Sequence, residues 1–204
     1  NRQQTPWKPW VLVDGFLEVC SGGYPHKDGA DAQHVWTTNI SIAPSETLEV
    51  EIPVQVTETN LLADSEGAGK FRGGVGIRRA YQYLTDDAIV QIRADRTEHT
   101  PYGLYGGHDS RRTYVQIASG TELTNMPSKF IETMNNKDTL IAEVPGGGGW
   151  GNPFERDPSL VLEDVIAEKV SIKRAKEVYG VVIDKTQKQI NYPETNNLRN
   201  QSTT

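Results

Sequence analysis

Apolar positions in this chain recur mostly with period two, in short runs broken by glycine and proline. Val11-Leu12-Val13 and Phe16-Leu17-Glu18-Val19 flank Asp14-Gly15, a pattern that predicts a short hairpin. Residues 35–42 are β-branched and weakly alternating, which predicts another strand. The longest alternation runs from Glu46 to Val56. It puts Leu48, Val50, Ile52, Val54 and Val56 on one face and Glu49, Glu51 and Gln55 on the other. This run reads as a strand, with Pro53 marking an edge or a bulge. Further strands are expected at 77–84 and 88–94, joined by a turn at Thr85-Asp86-Asp87, and at Thr113–Ile117 and Thr139–Val144.

The period lengthens to that of a helix only after residue 157. Asp157 suits an N-cap and Pro158 the first helical position, and Val161, Leu162, Val165 and Ile166 form an apolar stripe. Ser171 caps a second helix with Ile172, Ala175 and Val178 inward, and Gly180 ends it. Val181–Asp184 fits one more strand. From Lys185 onward the chain is polar and is expected to be loose. The expected fold is mainly β (α+β), with many short strands, glycine-rich loops and a small C-terminal helical hairpin.

Glycine concentrates in 64–76, in Pro101–Ser110 and in Pro145-Gly146-Gly147-Gly148-Gly149-Trp150-Gly151-Asn152-Pro153. Consecutive glycines lose much entropy on ordering, so something must hold them. They also let one backbone approach another closely. Gly67-Ala68-Gly69-Lys70 lacks the rest of a phosphate loop, because Asp64 and Phe71 stand where glycine and a hydroxyl residue are needed. Gly146, Gly148 and Gly151 match G-x-G-x-x-G, but Pro153 intervenes before the helix that a dinucleotide site requires. A turn is the better reading of the first, and close backbone packing of the second.

Composition narrows the function classes. The 204 residues make one domain or two small ones. The net charge of −6 argues against nucleic acid or an anionic membrane as main partner. No apolar run approaches a membrane span. Cys20 is the single cysteine, which excludes an internal disulfide and reads as a small core residue of a cytoplasmic protein. The opening Asn1–Trp7 lacks an initiator Met and reads as the interior of a longer protein.

Candidate chemistry is sparse. His26 lies near Asp28 and Asp31, but their spacing matches no metal-ligand set. Arg78-Arg79 and Arg111-Arg112 read as solvated pairs. Arg72, Asp95 and Arg96 are the candidate catalytic residues, since each sits beside a strand or glycine turn and Arg can grip a carboxylate or phosphate bidentately. The alternative is that they staple loops through buried ion pairs.

Several of these features occur together and in order. They are Gly22-Gly23 with Asp28-Gly29, and Pro44, Glu46 and Glu49 with Pro53. Asp64-Ser65-x-Gly67-Ala68-Gly69-x-Phe71-Arg72-Gly73-Gly74-x-Gly76 follows, then Asp95-Arg96 and Pro101-x-Gly103-Leu104-x-Gly106-Gly107. Pro127-Ser128-Lys129 and the glycine block through Val182 complete the set. The whole resembles the C-terminal part of the hydantoinase B / 5-oxoprolinase family. The resemblance departs at Tyr24-Pro25-His26-Lys27, where the family often has Gly-Ala-Arg.

The resemblance divides the chain into an arm and first strands at 1–19, a hydantoinase B-like domain at 20–184 and a polar tail at 185–204. It implies work beside an ATP-binding hydantoinase A-like subunit and an upstream part of the B component. The partner phosphorylates an amide or carbonyl oxygen, and the B part completes hydrolysis of a cyclic amide or, in relatives, carboxylation of a ketone. ATP and a divalent metal are expected on the partner or upstream segment and none on this chain alone. A non-catalytic scaffold is the third reading.

Overall fold

The computed structural model describes residues 20–33 and 43–201. The expected hairpin around Asp14-Gly15 and the strand at 35–42 lie outside the described residues. In chain order the elements are α1 (Ser45–Glu51), β1 (Val54–Leu61), β2 (Ile77–Tyr83), β3 (Ala88–Arg93), β4 (Tyr114–Ser119), β5 (Glu122–Asn125), β6 (Lys129–Met134) and β7 (Thr139–Val144). A single 3-10 turn (Pro153–Glu155) precedes α2 (Pro158–Ile166) and α3 (Ile172–Tyr179). Then come β8 (Ile183–Asp184), β9 (Gln189–Ile190) and α4 (Tyr192–Gln201).

Five antiparallel strands form the main sheet in the order β1-β2-β7-β4-β5, and β3 and β6 pair as a separate ribbon. The strands expected on either side of Thr85–Asp87 both exist, yet they belong to different sheets. β2 lies between β1 and β7 in the large sheet, while β3 crosses to pair with β6. Leu48, Ile52, Val54, Tyr81, Tyr83, Val90, Val115, Met134 and Leu140 fill the core around them.

The first half of the long alternating run is helical, not extended. Leu48 and Ile52 are buried while Val50 is 78% exposed. Residues four apart share a helical face, so this burial fits α1 as well as a period of two fits a strand. The strand begins after Pro53, and the bulge falls between Val56 and Glu58 instead of at the proline. Helices therefore do not wait for residue 157. The chain beyond Lys185 is also ordered, with β9 paired to β8 and α4 following. Thr195 is fully buried there, and its hydroxyl accepts the Val182 N–H at 3.0 Å.

The helical hairpin forms with its expected caps. The Asp157 side chain accepts from Ser159 N–H, and Ser171 from Arg174 N–H. Gly180 takes the left-handed conformation at φ 63°. Together with Ala68 from the first glycine loop, the helices build a second core of Val161, Val170, Ala175, Tyr179, Val181 and Ile183.

Between the two cores the glycine segments pack against one another as bare backbone. Gly146 N–H donates to Ser65 O (3.1 Å), Gly147 N–H to Gly74 O (2.9 Å) and Gly149 N–H to His108 O (3.0 Å). Gly23 N–H donates to Gly148 O, and Leu104 N–H to Gly149 O. A Cβ on Gly146 would strike Gly74 and 65–66, one on Gly149 would strike 67–68 of the same loop, one on Gly147 would strike 21–22, and one on Gly148 would strike 102–103. Directions that repeat every third residue are those of a threefold extended chain such as polyproline II. Such a chain has no internal hydrogen bonds, and here the neighbouring segments supply them.

Candidate functional site

Arg72 leaves the glycine lattice and enters a buried charge cluster. Its Nε donates to Asp164 Oδ1 at 2.9 Å and its Nη1 to Asp31 Oδ1 at 2.8 Å. Arg156 spans Asp28, at 2.7 Å from Nη1 and Nη2, and Asp164, at 2.8 Å from Nη2. Lys169 Nζ closes the set on Asp31 Oδ2 at 2.8 Å. Three carboxylates thus face three cations. Burial disfavours ionised Asp31, but the Arg72 and Lys169 hydrogen bonds and the Val75 N–H outweigh it and hold its carboxyl below the usual range. Burial likewise works against the Arg72 cation, and the Asp164 and Asp31 charges more than restore it.

Asp28 and Asp31 are therefore engaged by arginine and lysine and are not available with His26 as ligands. Among the described residues no group of three His, Cys, Asp or Glu side chains could hold a metal ion. The described carboxylates of this cluster are each taken up by a cation and do not fit a metal. Cys20 is buried, as expected, with its Sγ–H donating to Val75 O, and burial pushes its thiol up to about 11.

A second buried group joins the first glycine loop to α3. Glu66 is fully buried, and its Oε1 accepts from Arg174 Nε at 2.6 Å and from the Tyr179 hydroxyl at 3.0 Å. Burial raises the Glu66 carboxyl above its ordinary value despite the Arg174 charge. Of the two arginine pairs expected to be solvated, Arg112 is exposed but the other three are engaged or buried. Arg79 is 1% exposed, Arg78 pairs with Glu58 and Glu143, and Arg111 pairs with Glu143.

Asp95 and Arg96 lie elsewhere. They are exposed and line an open cleft of about 490 Å³ with Glu98, His99, Ser128 and Lys129. Neither joins Arg72 by an ion pair or hydrogen bond. The structure separates the three candidates into one buried tie and two cleft residues. Backbone bonds fix the cleft's floor, from Ala94 N–H to Ser128 O at 2.7 Å and from Thr113 N–H to Arg96 O at 2.9 Å. Arg96 itself is held at φ 60°, a left-handed backbone that a long side chain rarely adopts. Strain of this kind concentrates at functional positions. Arg93 of β3 stands opposite Lys129 of β6 in register, so like charges crowd the same rim. Carboxylate, guanidinium, ammonium, imidazole and hydroxyl groups thus face solvent together, a set able to grip a polar or anionic molecule.

Sequence reasoning missed Asp164 and Arg156. The signal for Asp164 was present: it lies three residues after Val161, on the buried face of α2. Arg156 gave none beyond its place before the N-cap.

The family model Hydantoinase B/oxoprolinase matches residues 2–153. An uncharacterized protein of Methanocaldococcus jannaschii is 42% identical over 166 residues, covering 76% of this chain and 28% of its own length. A Pseudomonas sp. (strain NS671) protein, provisionally named as the B component of a D-/L-hydantoinase, is 34% identical over 193 residues, covering 93% of this chain and 32% of its own length. The crystal structure of the ATP-dependent caprolactamase from Pseudomonas jessenii superposes with a TM-score of 0.80 at 26% identity, over 90% of this chain and 33% of that one. The chain thus spans 28% and 32% of the length of the first two relatives.

Proposed function

Because the chain belongs to the hydantoinase B/oxoprolinase family, we propose that it serves as one segment of the B component of an ATP-dependent cyclic-amide hydrolase. Its role there is to frame the active site and the subunit interface. One observation carries this reading. The cleft holding Asp95, Arg96, His99 and Lys129 is open to solvent, with backbone bonds from Ala94 and Thr113 at its floor, and so leaves these groups free to face a substrate or a neighbouring part of the enzyme.

Amides are poor electrophiles, and ATP supplies the phosphorylation that turns the amide oxygen into a leaving group. This chain's own part is positional. Arg96 and Lys129 hold an anionic group of the substrate, and Asp95 orients a proton-bearing partner at the rim. ATP and divalent metal belong on the ATP-binding partner subunit or on the remainder of the B component. A single buried thiol suits a cytoplasmic setting.

The test is ATP turnover by the assembled enzyme with a cyclic amide such as 5-oxoproline or N-methylhydantoin. Amide-dependent turnover without bicarbonate supports the hydrolase. Turnover that requires a ketone and bicarbonate replaces it with a carboxylase. Turnover that survives both Asp95→Ala and Arg96→Ala while assembly weakens favours scaffolding alone, and turnover and assembly that both survive move the candidate site away from this cleft.

A further inference from the structure

The loop 101–108 puts three large side chains into water. Tyr102 is 66% exposed, Leu104 49% and Tyr105 79%. The loop is nevertheless anchored at its backbone. Leu104 N–H donates to Gly149 O and Gly151 N–H to Leu104 O, both at 2.9 Å, while His108 N–H reaches Ala68 O at 2.7 Å. Asp109 Oδ1 accepts the Gly103 N–H at 2.9 Å. Tyr105 is fixed at φ 53°, ahead of Gly106 at φ 90°, a conformation a bulky residue keeps only when its surroundings impose it. Its ring lies 5.4 Å from that of Trp150, which in turn lies 6.1 Å from Phe71. The result is a rigid aromatic ledge on the glycine lattice. Among the described residues the Tyr102 and Tyr105 hydroxyls and the Trp150 indole N–H have no hydrogen-bond partner.

We propose that this ledge, centred on Leu104, Tyr105 and Trp150, is where the larger part of the B component docks onto this segment. The inference rests on the B-component reading above. The fold is a minor share of its longer relatives, 33% of the solved caprolactamase chain, so a B chain of that length has further chain available to cover the ledge. Exposed Tyr and Trp dominate binding energy at protein interfaces, and a loop already held in its bound shape loses little entropy on docking. The matching surface offers aliphatic or proline side chains to the rings and backbone carbonyls to the free hydroxyls and indole N–H.

The experiment compares this chain alone with the complete B component, by native mass and by hydroxyl-radical oxidation of Tyr102 and Tyr105. Assembly with loss of oxidation at both tyrosines is expected. Tyr105→Asp, which suits the left-handed backbone better than Tyr, should weaken assembly by about thirtyfold with the melting of the chain alone unchanged. Assembly with both tyrosines still reactive and Tyr105→Asp without effect overturns the ledge and leaves the B-component reading standing. Failure to assemble overturns both. Protection that grows with the concentration of this chain alone assigns the ledge to a second copy and also overturns the proposal.

Discussion

Arg72 and Asp164 are 92 residues apart in sequence and meet through a 2.9 Å Nε–Oδ1 bond with both side chains buried. One residue belongs to the first glycine loop and the other to α2. The bond therefore ties the glycine lattice to the helical hairpin, and Arg156 reaches the other oxygen of the same carboxylate. Asp164 is the shared anchor, and the charges around it balance.

Removing one partner leaves the cluster with an unbalanced charge largely out of water. Arg72→Met or Asp164→Leu should each cost about 3–5 kcal/mol of stability. The double variant should cost less than the sum of the two, because the pair is removed together. Urea unfolding monitored by circular dichroism checks both. Additive losses would show that the two residues do not act as a unit.

The lattice makes a sharper demand. A Cβ at Gly148 would overlap the Tyr102 carbonyl, a backbone atom that cannot turn aside. Gly148→Ala should therefore destabilise by more than the ~1–3 kcal/mol typical of overpacking. Gly120, at φ 59° in the β4–β5 turn, meets nothing within 4 Å of the same added atom. Gly120→Ala should cost only the ~1–2 kcal/mol of a left-handed backbone. Thermal melting of the two variants separates steric from conformational need.

Much of this was legible in the chain. Asp157, Ser171 and Gly180 signal their caps locally, and each capping bond forms within a few residues. The glycine blocks announce close packing because only a missing Cβ permits it. Leu48 and Ile52 misled because both a period of two and a spacing of four put them on one face, and only the burial of Val50 would distinguish them. Assignment of β3 to β6 depends on contacts about forty residues apart, which no local pattern encodes. At the candidate site, the partners of Arg72 were illegible for the same reason. The exposure of Asp95 and Arg96 depends on how the ribbon ends.

The buried Glu66 and half-buried Asp31 carboxyls predict opposite pH responses. Burial raises Glu66, so the folded state binds its proton more tightly than the unfolded chain. Its contribution is full below the unfolded value and is lost as pH rises through the folded one. Asp31 is held low, so its contribution is full above the unfolded value and fades as pH falls through the folded one. Glu66→Gln should flatten the decline in stability on the less acidic side of the Glu66 unfolded value. Asp31→Asn should flatten the loss in strong acid. Urea midpoints across a pH series would expose a reversed sign in either case.

Arg96 allows backbone and side-chain roles to be separated in a single position. At φ 60° it occupies a conformation that glycine takes without steric cost, so Arg96→Gly relieves strain of ~1–2 kcal/mol. Glycine's greater freedom in the unfolded chain offsets about 0.5–1 kcal/mol of that gain. Stability should stay level or rise slightly. The guanidinium, however, is lost from the cleft it lines with Asp95 and Lys129. If it grips an anionic group of the substrate, removing that charge-assisted contact of about 1.5–3 kcal/mol lowers kcat/KM by about tenfold to a hundredfold. Arg96→Lys keeps a charge but not the planar fork, so it should recover only part of the loss. Steady-state kinetics of the assembled enzyme, with melting curves alongside, decides the matter. A stable Arg96→Gly variant with full activity would leave Arg96 as a turn residue and move the candidate site away from this cleft.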